Sequence, residues 1–217
     1  MILTLEEINE MEDSRNIIIC YIDDDFDGAL ETYLSSFTDT QTNVTYDEHK
    51  FLPGNESYES LLRNDQISRS DIIIIDSKLF ENQNAPVNDV RLTGEKFKIA
   101  IKADFPYKKV FVISSKEIES DSVTISKFDS TRVVNPLEEA QTYYSEKLDR
   151  VLVFAIREIR EQREIIPELS SIPDLDKVKV EKISNMEKGI KELDELSKGD
   201  IDTLVSLFQE IKNGYNK

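Results

Sequence analysis

The chain has 217 residues, of which 39% are hydrophobic and 33% charged, enough for one domain with a buried core and a small appendage. Its 27 basic and 44 acidic residues leave a net charge of −17, which argues against a broad non-specific phosphate-binding surface, because lysine and arginine carry such binding. No apolar run reaches membrane-spanning length, the N-terminal stretch is acidic rather than signal-like, and the single Cys20 excludes an intramolecular disulfide. The expected compartment is therefore the cytosol, with Cys20 a small buried apolar residue.

Taken in order, Thr4 and Glu7 have the form of a capping box, which predicts a short helix over Leu5 to Glu12. Ile17 to Ile22 is short, apolar and rich in β-branched side chains, as in a strand covered on both faces of a parallel sheet. A helix follows from Ala29, then a short strand over Asn43 to Tyr46 and an extended segment, His49 to Pro53, that turns at Gly54. Tyr58 to Asn64 reads as a helix, and Asp71 to Asp76 repeats the opening pattern of an apolar core with a carboxylate at its exit. Glu81 to Asn88 is a polar loop and Val90 to Asp104 a moderately amphipathic helix. Val110 to Ile113 is a buried strand, and Val123 to Ile125 and Arg132 to Val134 are short ones. A long helix is predicted from Leu137 to about Glu164, with Pro167 and Pro173 breaking the chain after it. Ile183, Met186, Ile190 and Leu193, then Ile201, Leu204, Val205, Phe208 and Ile211, carry helical spacing to the end. The alternation predicts an α/β fold, a doubly wound parallel sheet over residues 1–176 with a C-terminal connecting helix and helical tail over 177–217.

Four carboxylates, Asp23, Asp24, Asp25 and Asp27, lie where the first strand ends, and Asp76 lies where DIIIID ends. Neighbouring parallel strands bring their carboxyl ends together, and ligands of open α/β sheets bind there. Packed carboxylates repel unless protonated or neutralised by a metal, so one shared divalent-cation site is expected. A second expectation is a partner surface. Arg91, Lys96, Lys98, Lys102, Lys108 and Lys109 form a basic patch in an otherwise acidic stretch, suited to an acidic partner or a nucleic-acid backbone, or equally to a solvated helix face.

Three families place an aspartate after the first strand of such a fold. The chain resembles a response-regulator receiver in Asp23 and Asp24, which there hold magnesium, Asp76 as phosphoacceptor, Ser114 as the hydroxyl and Lys127 as the lysine; Phe128 stands where that family has proline. A haloacid-dehalogenase-type phosphatase would open on Asp25-Phe26-Asp27-Gly28, but Ala29 replaces its threonine. Most of the chain resembles the DHH phosphoesterases of the RecJ branch. The similarity runs through Asp23 to Ala29, His49 to Pro53, Asp71 to Asp76, Val133 to Pro136, Leu169 to Asp174 and Asn185 to Leu193.

That last resemblance implies metal ligation by Asp25, Asp27, Asp76 and Asp174, with manganese or magnesium as the ion if one is retained. Where the family has Asp-His-His, this chain has Ser114, Ser115 and Lys116, so the two-metal clamp needed for hydrolysis is incomplete. The resemblance then implies a catalytically degenerate domain with no required cofactor, acting as a protein scaffold in DNA replication that binds GINS and the MCM helicase and makes little or no direct contact with nucleic acid. The alternatives are a manganese-dependent phosphodiesterase or single-strand exonuclease, and a receiver phosphorylated on Asp76. His49, the lone histidine, is expected to be a structural or surface residue rather than a ligand.

Overall fold

A computed structural model describes residues 15–53, 55–79, 93–115, 124–129 and 135–190 of the chain. The predicted helix over Leu5 to Glu12, the loop over Glu81 to Asn88, the strand over Arg132 to Val134 and the helical spacing beyond Ile190 lie outside these residues.

Among the described residues, five parallel strands form one sheet in the order β2-β1-β3-β4-β5. They are β1 (Ile17–Asp23), β2 (Val44–Lys50), β3 (Ile72–Asp76), β4 (Lys109–Ser114) and β5 (Thr124–Ser126). Helix α1 (Gly28–Asp39) joins β1 to β2, the short α2 (Tyr58–Leu62) and α3 (Asp65–Arg69) precede β3, and α4 (Gly94–Asp104) precedes β4. After β5 come α5 (Pro136–Tyr144), one π turn (Ser145–Asp149), α6 (Arg150–Glu168), a 3₁₀ turn (Leu169–Ser171) and α7 (Lys177–Glu187). The doubly wound α/β expectation holds.

The three central strands, β1, β3 and β4, are mainly apolar because both faces of the sheet are covered there, whereas the edge strands β2 and β5 are more polar and exposed. Ile17, Ile19, Tyr21, Ile72 and Ile74 point to the side packed by α1, α5 and α6, where Leu30, Tyr33, Leu34, Tyr144, Leu152 and Ile156 are buried. Cys20, Ile22, Ile73, Ile75 and Val112 point to the other side, against Leu61, Ile67, Phe97 and Ile101 from α2, α3 and α4. This is the strict alternation of a strand, with no polar face to show it in the sequence. Cys20 is buried and free, as expected.

Two boundaries differ from the sequence reading. The second strand runs on to Lys50 because its whole length pairs in register with β1, from Ile17 opposite Val44 to Asp23 opposite Lys50. Pro167 does not stop its helix but sits in the last turn of α6, where its missing N–H costs a single intrahelical bond. No helix among the described residues is long and apolar enough to cross a membrane.

The strand order reverses direction between β1 and β3, so the chain leaves their carboxyl ends on opposite sides of the sheet and opens a crevice there. Ile22 pairs with Ile75, which sets Asp23 beside Asp76.

Candidate phosphoacceptor and metal site

Asp23 and Asp76 are the last residues of their strands and are almost completely buried. Each carboxylate is oriented by the backbone that follows it. Asp23 Oδ1 accepts the N–H of Asp25 at 3.1 Å, and Asp76 Oδ2 accepts the N–H of Lys78 at 2.6 Å. Asp24 completes the group, since one oxygen from each of Asp23, Asp24 and Asp76 lies within 4.8 Å of the others.

A lysine from the edge of the sheet closes the site. Lys127 directly follows β5, and its N–H donates to Ser114 O at 2.7 Å. Its Nζ reaches Asp23 Oδ2 at 2.7 Å and Asp76 Oδ1 at 2.8 Å. Burial alone would push this ammonium down, but Asp76 and Asp23 outweigh it and hold the lysine charged. Asp76 moves up because burial disfavours its charge, with Lys127 opposing.

Two hydroxyls line the same end. Ser77 donates from its backbone N–H to Ile113 O at 2.7 Å and from Oγ to Ser114 Oγ at 2.9 Å, and both serines are buried. On the floor, the Tyr21 hydroxyl donates to Asp23 Oδ2 and accepts the N–H of Asp27. Burial of Tyr21 and the charge of Asp23 push the phenol well above its ordinary range, so it stays a donor.

Three carboxylates against one ammonium leave an excess of negative charge, and one atom shows where it is felt. Asp24 Oδ2 is buried and has no hydrogen-bond partner among the described residues. Burial, then the neighbouring charge of Asp23, pushes Asp24 up to about 6. An orphaned carboxylate oxygen beside two others, all hard oxygen donors, fits a small divalent cation such as magnesium.

The residues proposed for metal from the RecJ resemblance are not gathered together. Asp76 belongs to the site, but Asp25 is exposed on the turn after β1. Asp27 is occupied otherwise. Its Oδ1 caps α1 by accepting the N–H of Ala29 at 3.0 Å, and its Oδ2 accepts the Tyr144 hydroxyl at 2.6 Å. Asp174 is exposed beyond the end of α6 that Arg163 fixes to Asp71, at the amino end of β3, and so lies away from Asp76. Of Ser114, Ser115 and Lys116, the first lines the site, the second is exposed, and the third lies outside the described residues.

The basic patch divides. Lys96 is exposed, and Lys98 and Lys102 are partly exposed on α4. Lys109 pairs with Glu158 at 3.0 Å. Lys108 is not a surface residue, because it is 5% exposed and its Nζ donates to the Ser68 and Ser70 carbonyls. Arg91 lies outside the described residues. His49 Nε2 lies 3.0 Å from Glu56 Oε1, in the structural role expected of it.

No protein-family model matches this chain, and no curated protein does. Two similar solved structures are of RcsB. The Salmonella typhimurium RcsB response regulator, solved for its conformational dynamism in DNA interaction, overlaps at a TM-score of 0.32 and 13% identity, over 88% of this chain and 98% of that one. RcsB from Salmonella enterica serovar Typhimurium, bound to promoter rprA with phosphomimetic BeF3−, overlaps at 0.34 and 13% identity, over 81% and 90%. Likenesses this weak say nothing of function, and the chemistry rests on the side chains themselves.

The tyrosines and Ser77 had no place in the reading by motif. Tyr21 carries the one available signal, a phenol two positions before a strand-ending aspartate and therefore on the same side of the strand. A buried tyrosine hydroxyl needs a partner, and here the aspartate is within reach.

Proposed function

We propose that this chain is a receiver-like phosphoacceptor in which Asp76 takes a phosphoryl group from a small or protein-borne phosphodonor. The observation that carries this is the double contact of Lys127 with Asp23 and Asp76, at 2.7 and 2.8 Å, inside a cluster with Asp24. One Asp76 oxygen would bond to phosphorus as the bond from phosphorus to the donor breaks, and the donor leaves with that electron pair. Asp23, Asp24 and Asp76 would hold a magnesium ion, which when bound supplies positive charge against the phosphoryl oxygens. Lys127 exchanges its contact with Asp76 for one with the transferred group, and Ser114 Oγ offers a hydroxyl to another phosphoryl oxygen. Tyr21 holds the Asp23 carboxylate in place by its hydrogen bond to Oδ2.

The test is incubation of the purified protein with acetyl phosphate and magnesium, followed by intact mass measurement. A gain of one phosphoryl group that Asp76→Asn abolishes is expected. Unmodified protein under conditions that phosphorylate a known receiver would sink this reading. Manganese-dependent cleavage of single-stranded DNA, lost in Asp76→Ala, would assign phosphodiester hydrolysis in its place.

A second reading has one observation in its favour. Burial, then the neighbouring charges of Lys109 and Lys98, pushes Lys102 down, so basic side chains crowd together where α4 meets the start of β4 on an acidic protein. That patch suits the protein-scaffold role, with GINS and the MCM helicase as the partners the RecJ resemblance names. Capture of either by the wild-type chain but not by a Lys98→Glu, Lys102→Glu variant tests it.

A further inference from the structure

Lys127 follows a strand of only three residues at the edge of the sheet, a thin support for a side chain that must be placed accurately. A ring of hydrogen bonds supplies what the strand does not. The peptide N–H of Phe128 donates to the Tyr144 hydroxyl at 3.1 Å. Tyr144 donates in turn to Asp27 Oδ2 at 2.6 Å, and the Asp27 N–H donates to the Tyr21 hydroxyl at 3.3 Å. Tyr21 donates to Asp23 Oδ2, which also accepts Lys127 Nζ at 2.7 Å. The path ends on Lys127, the residue joined by its peptide bond to the Phe128 at which it began.

Each phenol in this ring donates its one O–H to an aspartate and accepts one backbone N–H. Tyr21 and Tyr144 are fully buried, and water does not offer substitutes. Tyr144 is also packed, with ring centroids 5.7 Å from Tyr33 and 5.4 Å from Tyr143. It is the last residue of α5, immediately before the π turn, and π turns in helices concentrate at functional sites. Asp27 meanwhile caps α1 with its other oxygen. The ring therefore joins the start of α1, the end of α5 and the exit of β5 around one lysine.

We propose that Tyr144 and Tyr21 are positioning residues for Lys127, holding its ammonium where it can reach both Asp23 and the phosphoryl group on Asp76. The inference rests on the phosphoacceptor reading, and it makes a separate prediction about the lysine itself. Tyr144→Phe retains the aromatic packing and removes only the hydroxyl, so it tests the ring rather than the core.

The experiment follows Lys127 by its side-chain ¹³Cε and ¹⁵Nζ resonances, assigned by their loss in Lys127→Arg, and in the same samples measures the phosphorylation rate of Asp76 with acetyl phosphate and magnesium. In Tyr144→Phe the Lys127 signal should move toward those of exposed lysines, and phosphorylation should slow about tenfold, the scale of a small misplacement of a reacting group. On a Lys127→Ala background, Tyr144→Phe should cost less than about twofold more, because residues acting through one another are not additive. A wild-type Lys127 signal in Tyr144→Phe, or the same loss on both backgrounds, would overturn the proposal. If Tyr144→Phe does not fold, Tyr21→Phe opens the ring on its other side and should shift the Lys127 signal the same way; an unmoved signal there also overturns it. If the wild type takes up no phosphoryl group, the phosphoacceptor reading fails, and the lysine resonance still decides whether the ring positions Lys127.

Discussion

Lys127 and Asp76 meet at 2.8 Å although the whole of β4 lies between the strands that lead to them. The side chains are 13% and 7% exposed, so this is a buried pair, and Asp23 at 2% shares the same ammonium. Removing one partner of such a pair strands the others without a counter-charge. Lys127→Ala should therefore destabilise the protein by about 3–5 kcal/mol in the absence of metal. Magnesium should recover much of that, because an ion that binds only the folded state adds stability as its concentration rises. Urea melts of wild type and variant with and without magnesium check this, and a variant that gains no more from magnesium than the wild type does would count against the cation site.

Gly94 touches the same aspartate from behind. A β-carbon at Gly94 would lie 2.4 Å from the backbone oxygen of Asp76 and 3.1 Å from its carbonyl carbon and from Val112 Cγ1. The obstacle is strand backbone, which cannot swing aside as a side chain can. Gly94→Ala should cost about 1–3 kcal/mol by overpacking and displace the carboxylate of Asp76. Its signature is a loss of metal affinity several-fold larger than that of an alanine at an exposed α4 position such as Lys96, measured by calorimetric titration. Equal affinities would mean that the strand end tolerates the push.

The fold was legible because each buried strand is a short run of β-branched residues closed by a carboxylate or a turn. The meeting of two strand ends at one site followed from the parallel order, and Asp76 was placed there correctly. Which of the aspartates after β1 belong to it was left open, because the RecJ resemblance pointed to Asp25 and Asp27 and the receiver resemblance to Asp23 and Asp24. Asp23 and Asp24 stand in the same run as Asp25 and Asp27, and only the geometry shows that Asp27 is committed to capping α1 and to Tyr144. Lys127 was already named through the receiver resemblance; what the sequence did not show is how it arrives, by β5 pairing in register with β4, Ser126 opposite Ser114. Lys108 looked like one more charge in a basic run, because nothing in its neighbours reveals that its own position faces inward.

Lys108 gives a pH dependence with a definite sign. Burial pushes it down to about 8 from an ordinary 10.5, although two carbonyls accept its hydrogens. Above about 8 the folded state releases this proton while the unfolded state keeps it until about 10.5. The unfolded chain then binds more protons, so the contribution of Lys108 to stability rises with pH across that window and is flat below it. The stability difference between wild type and Lys108→Met should grow in favour of the wild type by up to about 3 kcal/mol between the two values. Denaturant melts at several pH values from neutrality to 10 provide the comparison, with the variant cancelling other titrating groups. A constant difference would show that Lys108 stays charged throughout.

Helix α7 buries no side chain completely, yet it is fastened at its end by charge. Glu187 Oε1 lies 3.1 Å from Arg163 Nε, and Glu187 Oε2 lies 3.0 Å from Arg15 Nη1. Arg163 also reaches Asp71 at 2.8 Å and the Arg15 carbonyl at 3.1 Å, so its place on the sheet does not depend on α7. Just beyond, Gly189 takes a φ of +71° and comes so near that a β-carbon would lie 1.9 Å from Ser68 O. The attachment of α7 is therefore local and separable from the core. Glu187→Gln removes the charge from three hydrogen bonds, two from Arg15 and one from Arg163, each worth about 1.5–3 kcal/mol. Amide exchange over residues 177–187 should quicken by about tenfold or more, while β1 and β3 keep wild-type protection. Arg163→Ala, by contrast, also strips Asp71 of its buried partner and should lower global stability by about 3–5 kcal/mol. Slowed exchange in β1 and β3 is not expected from either variant, and equal quickening of the core strands by Glu187→Gln would show that α7 is part of the cooperative unit rather than a clasp upon it.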